Sequence, residues 1–165
     1  MELNLSQFSL DELLLAGTKS EVESEALYRT LAGRVKNFML RDRLAFLAEE
    51  EKKHAKVLRS IFRERFPGRE PAIPPTTPVP LPSVRCDDRS PVSDILLAAM
   101  DAEAAAASFY SDLAPFFPES DEIRRMLTYL AHMERGHYQM LEGERRNALD
   151  IEEADEHFPM FHIGP

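Results

Sequence analysis

The chain has 165 residues, a formal net charge of -9 at pH 7 and a sequence pI of about 5.1. This acidic excess repels a phosphate backbone, and no basic cluster offsets it, so the composition argues against nucleic-acid binding. With 44% hydrophobic and 30% charged residues, the composition is ordinary for a soluble globular protein. One domain over residues 1–165 is expected, because this length supports a sizeable core. The single cysteine, Cys86, excludes a multi-cysteine metal site within the chain.

The N-terminal residues do not have the pattern of a targeting segment. Met1-Glu2 provides no basic region, and the short apolar run 13–16 directly follows Asp11 and Glu12. Neither a signal peptide nor a membrane span is expected from this pattern. We therefore predict a cytoplasmic protein.

Two helices are predicted in the first part of the chain, over about 9–36 and 38–66. Ser9 followed by Glu12 is a capping-box signal, and Pro67-Gly68 ends the second helix. The short link between them makes the helices antiparallel neighbours. Alternating four- and three-residue steps give each helix one buried stripe, formed by Leu10, Leu14, Gly17, Glu21, Ser24, Tyr28, Leu31 and Val35, and by Leu40, Leu44, Leu47, Glu51, His54, Leu58 and Ile61.

The segment 67–90 is predicted to be an extended crossover. Eight of the 12 prolines of the chain lie between residues 67 and 91. Proline prevents a helix or a central strand here. At ~3.1 Å per residue, an extended segment of this length spans a bundle of roughly 40 Å. Cys86 lies in this segment and is interpreted as an incidental surface thiol.

Two further helices are predicted over about 91–114 and 120–147, followed by a tail over 148–165. Ser90-Pro91 and Ser120 provide their start signals. The tail segment 157–163 is too apolar to float freely, so we expect it to dock on the bundle or on a partner chain. A metal role for His157 or His162 is a minor alternative.

The two halves repeat one pattern of polar residues on their buried stripes. Each half has a glutamate seven residues before a tyrosine, and then Glu-x-x-His about 30 residues after that glutamate. A glutamate and a histidine three residues apart point to the same side of a helix. The residues are Glu21, Tyr28, Glu51 and His54 in the first half, and Glu103, Tyr110, Glu134 and His137 in the second.

Four carboxylates at one level of an apolar core require compensating charge. Unpaired buried charges cost several kcal/mol each. Two divalent cations would supply +4 against -4, and carboxylate and imidazole ligands suit Fe or Mn, with Zn also possible. A single Glu-x-x-His is usually a solvated surface pair, whereas two on core stripes, each with a partner glutamate, are specific. The alternative is a bundle that keeps the carboxylates for other reasons.

The set of four glutamates and two histidines is similar to that of ferritin-like carboxylate bundles. Over residues 9–147 the repeated pattern resembles the rubrerythrin branch of the ferritin-like superfamily. The resemblance implies an all-α fold, a four-helix bundle of two antiparallel hairpins joined by a long Pro-rich crossover. It implies two Fe ions that Glu51 and Glu134 bridge, with one metal completed by Glu21 and His54 and the other by Glu103 and His137.

The resemblance also implies an activity and partners. The expected function is that of a non-haem diiron oxidoreductase, which oxidises Fe(II) or reduces hydrogen peroxide, with peroxide or dioxygen as oxidant. A homodimer or higher oligomer is implied as well. Full-length rubrerythrins carry a four-cysteine rubredoxin domain, so this chain would need an external electron donor such as a rubredoxin-like protein. The alternative is an iron-handling or metal-binding bundle without its own catalytic turnover, or a structural bundle that holds Zn or nothing.

Other residues near these stripes have open roles. The tyrosines Tyr28 and Tyr110 either hydrogen-bond the opposite glutamate or simply pack in the core. Rubrerythrins have an additional glutamate near the metals on the third helix, but residues 104–107 are alanines here. Several residues are interpreted as lying outside the ligand set: Glu25, Glu49, Glu50, His132, Glu142 and Glu144 as competing or solvated groups, and Met126, Met133 and Met140 as core or dimer-interface filler.

Overall fold

The structure is a computed structural model, and it describes residues 4–84 and 89–157. Within these ranges the fold is all-α, with no strand, and the predicted four-helix bundle is confirmed. The helices are α1 (Leu10–Arg34), α2 (Phe38–Arg65), α3 (Val92–Leu113) and α4 (Asp121–His157). Short 3-10 turns occupy Leu5–Gln7 and Ala114–Phe116.

Local capping fixes where the helices begin. The backbone N–H of Ser9 donates to the Glu12 carboxylate over 2.8 Å, which is one half of a capping box on α1. The Asn37 side chain accepts from two amides of the first turn of α2, and the Ser120 hydroxyl accepts from one amide of α4. Helix α3 starts one residue later than predicted, because Pro91 takes the extended capping position.

The two hairpins, α1–α2 and α3–α4, pack face to face. Their buried glutamates and histidines form a polar level, which lies between two apolar clusters. One cluster joins the start of α1 and the end of α2 to the end of α3 and the start of α4. The other cluster joins the opposite ends of the same helices. Buried members of the first cluster include Leu13, Leu58, Phe62, Tyr110, Leu113 and Leu127, and those of the second include Tyr28, Leu31, Leu44, Leu47, Leu96 and Leu141.

Helix α4 ends ten residues later than the sequence indicated. The prediction ended it near Asn147, whereas it continues to His157. No proline or glycine interrupts this stretch, Ala148 is buried, and the Glu152 carboxylate accepts from the backbone N–H of Ser93 at the start of α3 over 3.2 Å. The predicted docking of residues 157–163 and the metal role of His157 or His162 rest on side chains that lie outside the described part of the structure.

The interpretation of Glu144 as a solvated residue was wrong. Its side chain is buried and forms an ion pair with Arg43 of α2, with 2.9 Å between Arg43 Nη1 and Glu144 Oε1. This glutamate extends the buried stripe of α4 between Leu141 and Ala148. Because Glu144 is charged, it interrupts the apolar periodicity of α4. The sequence pattern therefore did not indicate that the helix continues beyond Asn147.

The Pro-rich crossover runs along the bundle, as predicted. Val79 is buried in the first apolar cluster, Leu81 packs against that cluster, and Val84 packs against the second. The chain therefore travels from the end of α2 to the opposite end of the bundle, where α3 begins. Cys86 lies outside the described residues. Among the helices of the described ranges, none is long and apolar enough to span a membrane.

Candidate metal centre

Each helix of the bundle contributes to one buried polar level. All six predicted ligands lie there, and none of them exposes more than 3% of its surface. Helices α1 and α3 each contribute one glutamate, and α2 and α4 each contribute a Glu-x-x-His pair. The six residues are Glu21, Glu51, His54, Glu103, Glu134 and His137.

The two histidines occupy mirrored positions among the carboxylates. His54 Nδ1 lies 2.8 Å from Glu134, 3.5 Å from Glu51 and 3.6 Å from Glu21. His137 Nδ1 lies 2.9 Å from Glu51 and 3.0 Å from Glu134. The imidazole rings stack with their centroids 5.4 Å apart and their planes at 18°. The internal repeat of the sequence therefore becomes an approximate two-fold arrangement of donor atoms.

His137 contacts Glu103 in the same way that His54 contacts Glu21. His137 Nδ1 lies 3.6 Å from Glu103, as His54 Nδ1 does from Glu21. The glutamates of α1 and α3 thus contact one histidine each. The glutamates of α2 and α4 contact both histidines, each through a different carboxylate oxygen.

Several donor atoms in this level lack hydrogen-bond partners. They include Nε2 of both histidines, together with Nδ1 of His54 and one oxygen each of Glu51 and Glu134, whose close contacts lack hydrogen-bond geometry. Leaving buried polar atoms unsatisfied is costly, and ligation of a metal ion removes that cost for oxygen and imidazole nitrogen. The potential ligand atoms of Glu51, His54, Glu134 and His137 all lie within 4.8 Å of one another. The residues therefore fit a cluster of divalent metal ions.

The carboxylates divide into two electrostatic classes. Burial raises the pKa of Glu21 well above its ordinary value, and the neighbouring carboxylates Glu134 and Glu51 add to the rise. Burial likewise raises the pKa of Glu103. Burial opposes ionisation of Glu51 and Glu134 too. The neighbouring Glu21 carboxyl, followed by the two histidines, nevertheless lowers the pKa of Glu51, and the two histidines lower the pKa of Glu134. In the metal-free protein, the glutamates between the histidines are therefore the ionised pair.

Both histidines hold their protons strongly in the metal-free protein. Burial alone would lower the pKa of His54, but the close carboxylates of Glu134 and Glu21 raise it far above its ordinary value. The pKa of His137 rises to about 12 in the same way, because Glu103 and Glu134 outweigh the effect of burial. Metal ions bind neutral imidazole, so they must displace these protons.

Two tyrosines link the hairpins across the bundle. The Tyr28 hydroxyl donates to Glu103, and the Tyr110 hydroxyl donates to Glu21. Burial, followed by the nearby carboxylates, raises the pKa of both phenols well above the ordinary value, so both remain proton donors. Each tyrosine thereby orients a glutamate of the other hairpin. Of the two interpretations of these residues, the geometry favours the hydrogen-bonding role.

The remaining acidic and histidine candidates lie away from this level. Glu25 pairs with Arg29, and His132 is exposed. Ala106, one turn after Glu103, is buried in the first apolar cluster. This position has no carboxylate that would serve as the additional glutamate of rubrerythrins.

Comparison with known proteins decides the family. The rubrerythrin family model matches residues 12–144, a range that contains all six buried ligand candidates. The chain belongs to the rubrerythrin family. This family of the ferritin-like superfamily typically binds a diiron site. No curated protein matches the chain.

A solved relative of this rubrerythrin-family chain supports the fold. The chain is similar to a hypothetical protein from Pyrococcus furiosus, with 37% sequence identity and a TM-score of 0.78. The match covers 89% of this chain and 94% of the Pyrococcus chain. The likeness therefore extends over nearly the whole bundle of both proteins.

Proposed function

We propose that this rubrerythrin-family protein binds two Fe ions and acts as a non-haem diiron oxidoreductase, which reduces hydrogen peroxide or oxidises Fe(II). The observation that carries the proposal is the double contact of Glu51 and Glu134. Each of these carboxylates reaches His54 with one oxygen and His137 with the other. A carboxylate in that position is suited to bridge two metal ions.

The ligands divide between the two ions according to the same contacts. Glu21 approaches only His54, and Glu103 approaches only His137, so each pair would complete one ion. Two divalent ions offset the four carboxylates in charge, which supports a pair rather than a single ion. Oxygen and imidazole ligands suit Fe, while Mn or Zn would occupy the same ligands.

A bound ferrous pair would supply two electrons, which with two protons reduce one hydrogen peroxide to two waters. The chain contributes the surroundings of that chemistry. The apolar clusters on both sides of the polar level limit its contact with water. Tyr28 and Tyr110 hold Glu103 and Glu21 in position by hydrogen bonds.

Repeated turnover would need electrons from a partner. A rubredoxin-type iron site needs four cysteines, and these 165 residues contain only Cys86. We therefore propose an external donor, such as a rubredoxin-like protein, with hydrogen peroxide or dioxygen as the oxidant. The cytoplasmic location stays a prediction.

The test starts with anaerobic protein that has been loaded with Fe(II). We expect about two Fe per chain and rapid oxidation by one hydrogen peroxide per two Fe. Absorbance in the near ultraviolet would monitor this oxidation. The variant Glu51→Gln/Glu134→Gln should lose this reaction. The variant Glu49→Gln/Glu142→Gln, which makes the same changes at solvent-accessible ion pairs of the same helices, should keep it.

The outcome also separates the two proposed activities from simple iron handling. Continued peroxide reduction with an added electron donor would indicate a peroxidase, whereas oxidation of successive Fe(II) additions would indicate a ferroxidase. A single oxidation without any further cycle would support an iron-handling bundle instead. Fewer than one Fe per chain, with no oxidation after reconstitution, would contradict the diiron proposal.

A further inference from the structure

One glycine on the buried stripe of α1 lies where the two hairpins meet. Gly17 is buried in the interior of α1, one turn before the ligand candidate Glu21. Glycine weakens the interior of a helix relative to alanine, so its presence here calls for a reason from packing. Gly33 of the same helix has open space around it, whereas the surroundings of Gly17 are filled by other side chains. Gly17 therefore marks a close approach between helices.

Three buried side chains occupy the space that a side chain at position 17 would need. An added Cβ atom would lie 3.0 Å from Cε1 of Phe109, 3.3 Å from Cδ1 of Leu58 and 3.4 Å from Cε1 of Tyr110. Carbon atoms in contact are ordinarily about 3.5–4.0 Å apart. All three side chains belong to the first apolar cluster, so a shift of any of them would disturb the packing there.

The contact with Tyr110 lies close to the hydroxyl group that reaches the polar level. Cε1 is the ring carbon next to the carbon that carries the hydroxyl, and this hydroxyl donates to Glu21 of the other hairpin. Phe109 packs edge-on against the tyrosine, with 5.4 Å between the ring centroids and 66° between the planes. A methyl group on Gly17 would therefore press on the hydroxyl end of the tyrosine ring, both directly and through Phe109.

The other half of the internal repeat has a different pair of residues at the corresponding positions. Ala99 of α3 corresponds to Gly17, because each lies four residues before the ligand glutamate of its helix. The residue that precedes the tyrosine is Leu27 in α1 and Phe109 in α3. Ala99 and Leu27 are both buried in the second apolar cluster. Alanine thus occurs together with leucine, and glycine together with the larger phenylalanine. This pairing indicates that Phe109 takes up the volume that Gly17 leaves free.

We propose that Gly17 is a positioning residue of the metal centre. It leaves room for the rings of Phe109 and Tyr110 against α1, and this packing places the Tyr110 hydroxyl on Glu21. The inference rests on the proposed metal binding, in which Glu21 is a ligand of one ion. A hydrogen bond that orients a ligand carboxylate raises the affinity for the metal. Gly17 supplies no ligand atom and acts through the tyrosine.

Zinc binding by the full chain tests this role without any turnover. In a competition titration with a chelator, Gly17→Ala should lower the affinity for Zn²⁺ about tenfold, because the displaced tyrosine no longer orients Glu21. Gly33→Ala is the matched control on the same helix, since a Cβ atom there meets nothing within 4 Å, and it should leave the affinity unchanged. Equal affinities of Gly17→Ala and the unaltered protein would overturn the proposal.

A double-mutant cycle distinguishes positioning of the tyrosine from a general disturbance of the core. Tyr110→Phe removes the hydroxyl and retains the ring. In the Tyr110→Phe background, Gly17→Ala should change the Zn²⁺ affinity less than about twofold, because the hydrogen bond is already absent. The same tenfold loss in both backgrounds would mean that Gly17 acts by another route, and it would overturn the proposal.

A compensating variant tests the part that Phe109 plays. Gly17→Ala/Phe109→Leu reproduces the alanine and leucine of the other half, and it should bind Zn²⁺ within about threefold of Phe109→Leu alone. This variant also covers the case in which Gly17→Ala alone fails to fold, which circular dichroism would reveal. An affinity that stays low in Gly17→Ala/Phe109→Leu would contradict the steric explanation and overturn the proposal.

The unaltered protein separates this inference from the proposed function. If it binds no Zn²⁺, the metal centre itself is contradicted. If it binds Zn²⁺ and any of the contrary results above is found, the metal centre stands and only the role of Gly17 is overturned.

Discussion

Glu51 and Glu134 differ from the other two glutamates of the site because each carboxylate contacts both histidines. Their different electrostatic states follow from this position. The Glu21 carboxyl and the histidines lower the pKa of Glu51, and the histidines lower that of Glu134, whereas burial raises the pKa of Glu21 and Glu103. The outer glutamates instead accept a tyrosine hydroxyl from the opposite hairpin. A single buried level thus contains two inner carboxylates suited to bridge metals and two outer ones held by hydrogen bonds.

The tyrosine hydrogen bonds predict a specific loss of metal affinity. In Tyr110→Phe the Glu21 carboxylate loses its hydroxyl donor and becomes less well oriented. We expect the affinity for Zn²⁺ to fall about 10- to 100-fold, which a competition titration with a chelator would measure. Tyr129→Phe, which removes a hydroxyl from an exposed tyrosine of α4, should leave the affinity unchanged. Equal affinities for Tyr110→Phe and the unaltered protein would show that the tyrosine only fills the core.

At the scale of the helices, the C-terminal turns of α4 beyond Asn147 connect the end of this helix to the start of α3, its partner in the hairpin. Its last turns reach the start of α3, where Glu152 accepts from the backbone N–H and the hydroxyl of Ser93. The first amides of a helix lack partners within the helix, so a carboxylate supplied by α4 satisfies one of them. Negative charge at that end also interacts favourably with the helix dipole.

This contact predicts a measurable contribution of Glu152 to stability. In Glu152→Ala the Ser93 amide loses its acceptor, and we expect a decrease of about 1 kcal/mol in the free energy of unfolding. Urea denaturation followed by far-ultraviolet circular dichroism would measure it. Asp150→Ala removes an exposed carboxylate from the same turns and should have a much smaller effect. Equal losses in both variants would mean that charge near the helix end, rather than this contact, is responsible.

At the scale of the whole molecule, the buried charges make folding depend on pH and metal. The folded metal-free protein retains protons on His54 and His137 that the unfolded chain releases above about pH 6.5. Burial favours retained protons on Glu21 and Glu103 as well. The folded state therefore binds more protons than the unfolded state above this pH, and its stability must fall as the pH rises.

The melting temperature of the metal-free protein should accordingly decrease between pH 6.5 and pH 9. We expect a change on the order of 3 °C per pH unit for each extra proton that the folded state retains. The lowered pKa values of Glu51 and Glu134 do not oppose this trend, since their contribution is complete above about pH 4.5. Saturating Zn²⁺ should remove the decrease, because the metal replaces the protons. A melting temperature that stays constant without metal would contradict the retained protonation.

The sequence alone determined the fold class and the identity of the six buried glutamates and histidines of the candidate metal centre. Periodic apolar stripes specify helices. The two Glu-x-x-His pairs interrupt those stripes at equivalent positions of the second helix in each half of the chain. Because helical periodicity fixes which side chains share a face, residues such as Glu51 and His54 could be placed in the core from spacing. The prolines of the crossover likewise excluded a helix and indicated a long extended connection.

Only the tertiary structure decided which atoms meet across the bundle. The contact of Glu51 with both histidines depends on how four helices pack, and no spacing within one helix specifies it. The burial of Glu144 depended on Arg43, which lies about 100 positions earlier in the chain. The contact of Glu152 with Ser93 likewise joins two distant positions. Local sequence determines which side of a helix is apolar, whereas pairing between helices depends on the neighbours that the whole fold provides.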